Sequence, residues 1–321
     1  LLVHAILVNS VLAATPDDWV NEPARKKILL INSYHKGYLW TDEITRGVEE
    51  AFYEWPVDIH IEYMDTKRQF KAELFHLQAI SLDIKHRQHH YDLIIASDNN
   101  AFNFLMKRKP NIFGDTPVVF CGVNYLRPET IAGYNDYTGI NEKMNISGNI
   151  NLIRTLHPDL EKIVVITDNT TTGLQIQREI LRVAALTENA SLGIELVYDI
   201  SIENLMKKGR SLGKGTAVLY TLFIRDKNDR FLEYEQVLRQ FSREVRVPLY
   251  AAQNFTPGPD VVGGLLTNGY DQGSVAAKLA KKILSGTPVN RIPVIWDTPT
   301  PPRFDYRQLK KHGIDTSLLP E

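Results

Sequence analysis

Residues 26–44 read KKILLINSYHKGYLWTDEI. Two lysines lead into four apolar residues, Ile28, Leu29, Leu30 and Ile31. The run stops at Asn32-Ser33, and Thr41-Asp42-Glu43 then opens a helix. A short, fully apolar run that ends in a polar loop and a capped helix is the first βα unit of a parallel sheet. Ligands of open α/β sheets bind at the carboxyl ends of the strands. The loop at that end carries Ser33, Tyr34, His35, Tyr38 and Trp40. Three rings, a hydroxyl and an imidazole make a recognition surface more than a packing surface.

The pattern spreads outward from this unit. Strand-like runs at 28–31, 59–63, 91–96 and 117–120 alternate with helical stretches. The first helix places Ile44, Val48, Ala51 and Phe52 on one face, and others cover 73–87 and 101–107. Such an order predicts a parallel sheet covered on both faces. A polar seam follows at 138–147, and then the plan restarts. Strands are expected at 162–166, 194–198, 216–220 and 247–250. Helices are expected at 172–185, with Leu174, Leu181 and Ala185 on one side, and at 202–210 and 232–244. A strand at 261–266, a helix at 273–284 ended by Gly286 and a last strand at 292–296 complete the chain. The proline-rich stretch 298–302 cannot stay in a central strand. The predicted fold class is α/β, with two similar doubly wound parallel-sheet lobes.

The 321 residues suffice for two domains of ordinary size. Hydrophobic residues make up 43% and charged residues 23%, a globular composition. A net charge of −1 gives no bulk field toward nucleic acid or anionic lipid. The sole cysteine, Cys121, excludes an internal disulfide and a multi-cysteine zinc site. It follows Val118-Val119-Phe120 and precedes Gly122, which predicts a buried, unreactive thiol. Residues 1–12 are largely apolar and lead to Ala13-Ala14, as at the end of a signal peptide. That start predicts an exported chain, and it is too short to span a bilayer.

Catalytic signatures are missing from the sequence. No dinucleotide fingerprint follows the first strand, and there is neither a phosphate loop nor a nucleophile elbow. His86 and His90 stand four apart, the spacing of a two-histidine metal site. They lie in KHRQHHYD, and imidazoles near a helix C-terminus are favoured without any metal. A solvated helix end is the expectation, with no metal, no cofactor and no catalytic residue.

Polar residues instead recur at strand ends. Ser97, Asp98 and Asn99 follow the third strand, and Cys121, Gly122 and Asn124 follow the fourth. In the second block Asp168, Thr170, Thr171 and Thr172 precede a helix, Thr221 and Phe223 follow a strand, and Gln253, Asn254 and Phe255 follow another. Each alone is an ordinary cap or turn residue. Together, on the carboxyl-end side of two sheets, they predict a cleft for a small ligand. Tyr34 or Tyr38 and Trp40 are expected to stack on a planar or apolar ligand. Ser97, Asp98 and Asn99 are expected to form the polar half of the first lobe, and Asp168 with Thr170, Thr171 and Thr172 that of the second. Helix N-termini suit a carboxylate and aspartate suits an ammonium, so an amino-acid-like ligand is expected. The alternative for either aspartate is a helix cap.

Five segments carry a family resemblance: ILLINSYHKGYLWTDEITRGV, YDLIIASDNNAFNFL, TPVVFCGVN, VVGGLLTNGYDQGSVAAKLAKKIL and FDYRQLKKHGID, running from Ile28 to Asp315. The chain resembles the type I periplasmic substrate-binding proteins. It looks closest to the ABC transporter substrate-binding group found as sensor regions of bacterial histidine kinases and diguanylate cyclases. The resemblance implies two lobes joined by a three-crossover hinge. It implies a lead at 1–25, an N-terminal lobe of 26–140 plus 264–288 and a C-terminal lobe of 141–263 plus 289–321. The helix at 273–284 then returns to the first lobe, and the tail from Asn290 packs on the second. No catalytic residues carry over. Ligands of the group vary and include aromatic amino acids. The SYHKGYLW loop and the FDYRQLKKHGID ending look like sensor regions, which a membrane helix follows. The expected partners are a small-molecule ligand and a membrane signalling module, in the periplasm or otherwise outside the cytoplasm, and no nucleic acid. A free-standing receptor for an ABC permease is the alternative, and an enzyme on the same two-lobed scaffold is a third reading.

Overall fold

The computed structural model describes residues 25–68, 72–186, 192–254 and 258–320. The apolar start and Phe255 lie outside them. In the first lobe the chain forms β1 (Lys26–Asn32), α1 (Leu39–Phe52), β2 (Val57–Tyr63), α2 (Ala72–His86), β3 (Leu93–Ser97), α3 (Asp98–Ile112), β4 (Val118–Asn124), α4 (Pro128–Ile131) and β5 (Tyr137–Glu142). The strands pair in parallel in the order β2-β1-β3-β4-β5. Ile28 stands opposite Ile59 on one side and Leu93 on the other. Successive residues of β1 point to opposite faces, and both faces are buried. Ile28 and Leu30 enter one apolar cluster, while Leu29 and Ile31 enter the other. That two-sided burial is why the strand reads as an unbroken apolar run.

The second lobe comprises α5 (Ile146–Leu156), β6 (Lys162–Ile166), α6 (Thr171–Leu186), β7 (Gly193–Val197), α7 (Ile202–Ser211), β8 (Thr216–Tyr220), α8 (Tyr234–Glu244), β9 (Leu249–Ala251) and β10 (Gly263–Leu265). After α9 (Gly269–Leu284) come β11 (Pro302–Phe304) and α10 (Tyr306–Lys311). The order is β11-β10-β9-β8-β6-β7, parallel except for the β10–β11 pair. Pro302 is tolerated there because β11 is the edge strand.

Helix α9 returns to the first lobe and packs on α1. Ile44, Val48 and Phe52, spaced four apart on α1, share a buried cluster with Ala276, Ala277 and Ala280 of α9. The two helices approach closely through glycines. A Cβ at Gly273 would collide with the Ile44 carbonyl, and one at Gly47 with the Tyr270 carbonyl.

The chain passes between the lobes at 142–146, 265–269 and 292–302. The first and third passages are laced together. Asn141 donates from its backbone to the Ile295 carbonyl (2.8 Å) and from its side chain to the Trp296 carbonyl (3.1 Å). The Thr298 hydroxyl binds the Asn141 carbonyl and accepts from the Lys143 amide (3.2 Å).

Several local expectations are corrected. The stretch at 138–147 is in large part a strand, β5, with all six residues buried. The 292–296 stretch forms no strand; Ile295 makes one bridge to Ile140. Ile292 and Ile295 pack on the first lobe's core, so the tail reaches the second lobe only beyond them. On α6 the buried face is Ile176, Ile180 and Val183, while Leu174 and Leu181 are exposed. Both sets fit a helical period, and the β-branched set won the sheet. His86 is not solvated. It closes α2, is buried, and contacts the Tyr91 hydroxyl (2.8 Å) and Glu62 (3.1 Å). His90 lies beyond the helix end and exposed, so the four-residue spacing does not bring the two rings onto one helix. Among the described residues no group of side chains could hold a metal ion, and no helix is long and apolar enough to cross a membrane.

Candidate functional site

The site is built at the carboxyl ends of β1, β2, β3, β4 and β5. After β1 the chain turns at Gly37, whose φ of +92° suits glycine, and its amide donates to Asp42 (3.0 Å). Helix α1 therefore starts at Leu39, two residues earlier than the sequence suggests, and carries Trp40 on its first turn. Trp40 and Tyr38 are 5% and 4% exposed and belong to the first lobe's core cluster as well as to the cleft wall. The expectation that rings in this loop stay out of the core is corrected, since their edges serve both surfaces.

Asp98 opens α3 in a left-handed backbone conformation, φ +70°. A non-glycine residue there is uncommon, though aspartate tolerates it better than most. Its carboxylate is 1% exposed and accepts from Trp40 Nε1 (2.9 Å) and the Ser97 hydroxyl (2.7 Å). Ser97 therefore serves the aspartate and makes no side-chain cap to the helix. Burial pushes the Asp98 carboxyl up to about 7, against these bonds and the nearby Lys67 charge. Ser33 fastens the same corner. Its hydroxyl donates to the Ser97 carbonyl (2.6 Å) and accepts from the Ala101 amide (2.8 Å).

At the end of β4 the register with β5 shifts between Phe120 and Val123. Such a bulge re-aims side chains. Gly122 takes φ +64°, and a Cβ there would press on Asp98. The Gly122 amide donates to Gln272 of α9 (2.9 Å). Asn99 accepts from the Asn124 amide (3.0 Å), which holds Asn124 at the cleft. Cys121 is fully buried, a free thiol in the core whose pKa burial raises.

Between the lobes lies a small cavity of about 30 Å³. Of the sequence-predicted residues it gathers Tyr34, Tyr38, Trp40, Asp98, Asn124 and Thr172. Lys67, Glu142, Met144, Leu222 and Gln253 complete its wall. Lys67 stands on the turn after β2, with its ammonium over the rings of Tyr34 (4.2 Å) and Tyr38 (4.5 Å). Burial draws that ammonium down to about 8. Glu142 ends β5, is buried, and has its pKa raised first by burial and then by the Asp98 charge.

The remaining predicted residues have other positions. Asp168 is buried, and its oxygens accept from the Thr170 amide (3.0 Å) and hydroxyl (2.6 Å) and from the Ile224 amide (2.9 Å). It ties two second-lobe loops together. Thr171 begins α6. The Thr221 hydroxyl donates to the Ile166 carbonyl (2.7 Å), and Phe223 is fully buried in the second core. Asn254 sits at the cleft mouth and donates across the lobes to Glu43 (3.1 Å). His35 also faces the other lobe, with Nε2 3.9 Å from Glu233 and its ring 6.4 Å from that of Phe231. Burial, then the Arg68 charge, lowers its pKa.

Two covered parallel sheets with a polar cleft between them match one family over most of the chain. Residues 40–300 match the family described as ABC transporter substrate binding protein. The chain belongs to that family. No curated protein matches it. Solved structures similar in fold include a conserved domain protein from Vibrio cholerae, 11% identical, with a TM-score of 0.64 over 91% of this chain and 97% of that one. Another is the ABC domain in complex with L-Trp from Streptococcus pneumoniae, 15% identical, with a TM-score of 0.63 over 92% and 97%. A third is the TorS sensor domain–TorT complex, 12% identical, with a TM-score of 0.60 over 89% and 96%. At these identities the likeness is one of fold, and the fold is type I periplasmic-binding-protein-like. Family members are substrate-binding proteins, so ligand binding is the shared property from which this chain's site is read.

Proposed function

We propose that the cleft closes on a small amino-acid-like ligand and that the chain is an extracytoplasmic sensor domain of a membrane signalling protein. The observation that carries the ligand reading is the cavity itself. It is walled by both lobes, with rings and carboxyls from one side and Met144, Thr172, Leu222 and Gln253 from the other. A ligand touching both walls favours the closed arrangement over the open one, which is what a closure signal requires. The cavity's room, about 30 Å³, is that of one or two waters, so a ligand enters only as the lobes part. Tyr34, Tyr38 and Trp40 offer ring surface, while Asp98 and Glu142 offer acceptors for an ammonium. The amino end of α6, beside Thr172, favours a carboxylate. A structural relative holding L-Trp and another that is a sensor domain support this reading.

The test is recovery and closure. Denaturing extraction followed by mass spectrometry is expected to release a bound amino-acid-like compound. Small-angle X-ray scattering of the stripped protein is expected to show compaction when that compound is returned. If nothing is released and no proteinogenic amino acid compacts the protein, the ligand reading is wrong. The family description favours a second reading, a free-standing receptor for an ABC permease. A membrane-spanning segment and a kinase or cyclase in the same open reading frame would decide for the sensor, and a neighbouring permease gene for the receptor.

A further inference from the structure

One corner of the cleft already holds a cation. The Tyr34 and Tyr38 rings stand at 89° to each other, 5.8 Å apart. Lys67 Nζ lies over both, at 4.2 and 4.5 Å, and donates to the Tyr38 hydroxyl (3.1 Å). Both distances are within the reach at which ring faces attract a cation. The same cavity is lined by the carboxyls of Asp98 and Glu142, both buried. Asn124 Oδ1, also on this wall, is buried without a hydrogen-bond partner. Against two carboxyls, two ring faces and a free carbonyl, the cavity wall supplies a single ammonium. An anion brought to this corner would meet two carboxyls and two ring faces against that one ammonium. A cation would meet everything it can use.

We propose that the Tyr34–Tyr38 corner is a subsite for an alkylammonium group of the ligand, and that Lys67 fills it until that ligand arrives. The proposal rests on the reading of the cleft as the ligand site. Lys67 is suited to a temporary stay. It enters from the turn after β2 on a flexible four-carbon stem. The loss of hydration that lowers its affinity for a proton also makes its return to water inexpensive. A resident cation has two effects. It keeps the carboxyls and rings in the arrangement a ligand needs. It also competes with every ligand, so weakly cationic compounds are excluded.

Chemical rescue tests this without knowledge of the natural ligand. The probe is n-butylammonium chloride, with sodium butyrate and sodium chloride at equal ionic strength as controls. Lys67→Ala is expected to melt below the wild type. Millimolar n-butylammonium is expected to restore at least half of the lost melting temperature, while the two sodium salts do not. The wild type, with its corner filled, is expected to shift little. Adding Tyr34→Leu to Lys67→Ala is expected to abolish the rescue. Should Lys67→Ala fold poorly, Lys67→Met keeps the stem and serves the same comparison. Equal shifts in wild type and variant, or no shift in either, would overturn the proposal. If rescue fails while an extracted compound still compacts the protein, the ligand reading of the cleft stands and only the cation subsite falls.

Discussion

Asp98 and Asp168 occupy locally similar places on strands of different position, β3 at the centre of the first sheet and β6 between β8 and β7 in the second. Each follows a buried parallel strand and stands at the start of a helix in its own lobe. Their bonds differ. Asp98 accepts from Trp40 and Ser97 and lines the cavity. Asp168 spends its oxygens on Thr170 and on the backbone of Ile224, closing two loops of its own lobe. The same residue type between a strand and a helix thus organises a cleft in one lobe and a scaffold in the other. The asymmetry extends to the whole wall, because Lys67, Asp98 and Glu142 all come from the first lobe. The reading that follows is that the ligand docks on the first lobe and the second closes over it.

The largest expected effect comes from Asp98→Asn. Asparagine tolerates the left-handed backbone, so the shape is kept and only charge is lost. Affinity for the extracted ligand, measured by calorimetry, is expected to fall roughly 10- to 100-fold, as for a lost charged hydrogen bond. Unchanged affinity would break the contrast between the two aspartates. Asp168→Ala should do the reverse. Losing its loop bonds is expected to cost about 2 kcal/mol, a drop of roughly 4–8 °C in melting temperature, with affinity nearly intact. A large affinity loss without destabilisation would return Asp168 to the site.

The third test uses pH. Asp98 binds its proton more tightly folded than unfolded, where a carboxyl titrates near 4. The stabilisation from keeping it neutral is complete below about pH 4 and disappears as pH rises toward about 7. The melting temperature of the wild type, relative to Asp98→Asn, should therefore decline by up to roughly 8–16 °C across that window. A flat difference would mean that Asp98 is ionised throughout. The smallest effect should come from Asn254→Ala, which removes one half-buried bond between the lobes. Binding is expected to weaken less than about fivefold, a change on the order of 1 kcal/mol.

The lobes and most strands are legible because parallel strands covered on both faces leave unbroken apolar runs. Tyr34, Tyr38, Trp40 and Asp98 are legible because they follow such runs. Lys67 escaped because a lysine on a polar turn looks like any solvated charge, and only the ring pair in the loop after β1 makes it a half-buried one. A rule extended to the end of β2 would have marked it. Glu142 was hidden because β5 reads YTGINE, a polar string. Its polar side chains are buried because the third passage between the lobes lies against them, and that neighbour comes from residues 292–298. The competing faces of α6 could not be ranked from periodicity alone, because both sets of residues satisfy it.

The contact of α9 with α1 has a consequence for how the molecule is made. A chain emerging from the ribosome completes the first five strands by Glu142, but the helix that covers Ile44, Val48 and Phe52 begins only at Gly269. At about 5–20 residues per second, the wait lasts on the order of ten seconds. For that interval the first lobe presents an uncovered apolar flank. All of the second lobe but β11 and α10 is synthesised before the cover arrives, so the nascent chain needs a chaperone or an unfolded state to bridge the gap.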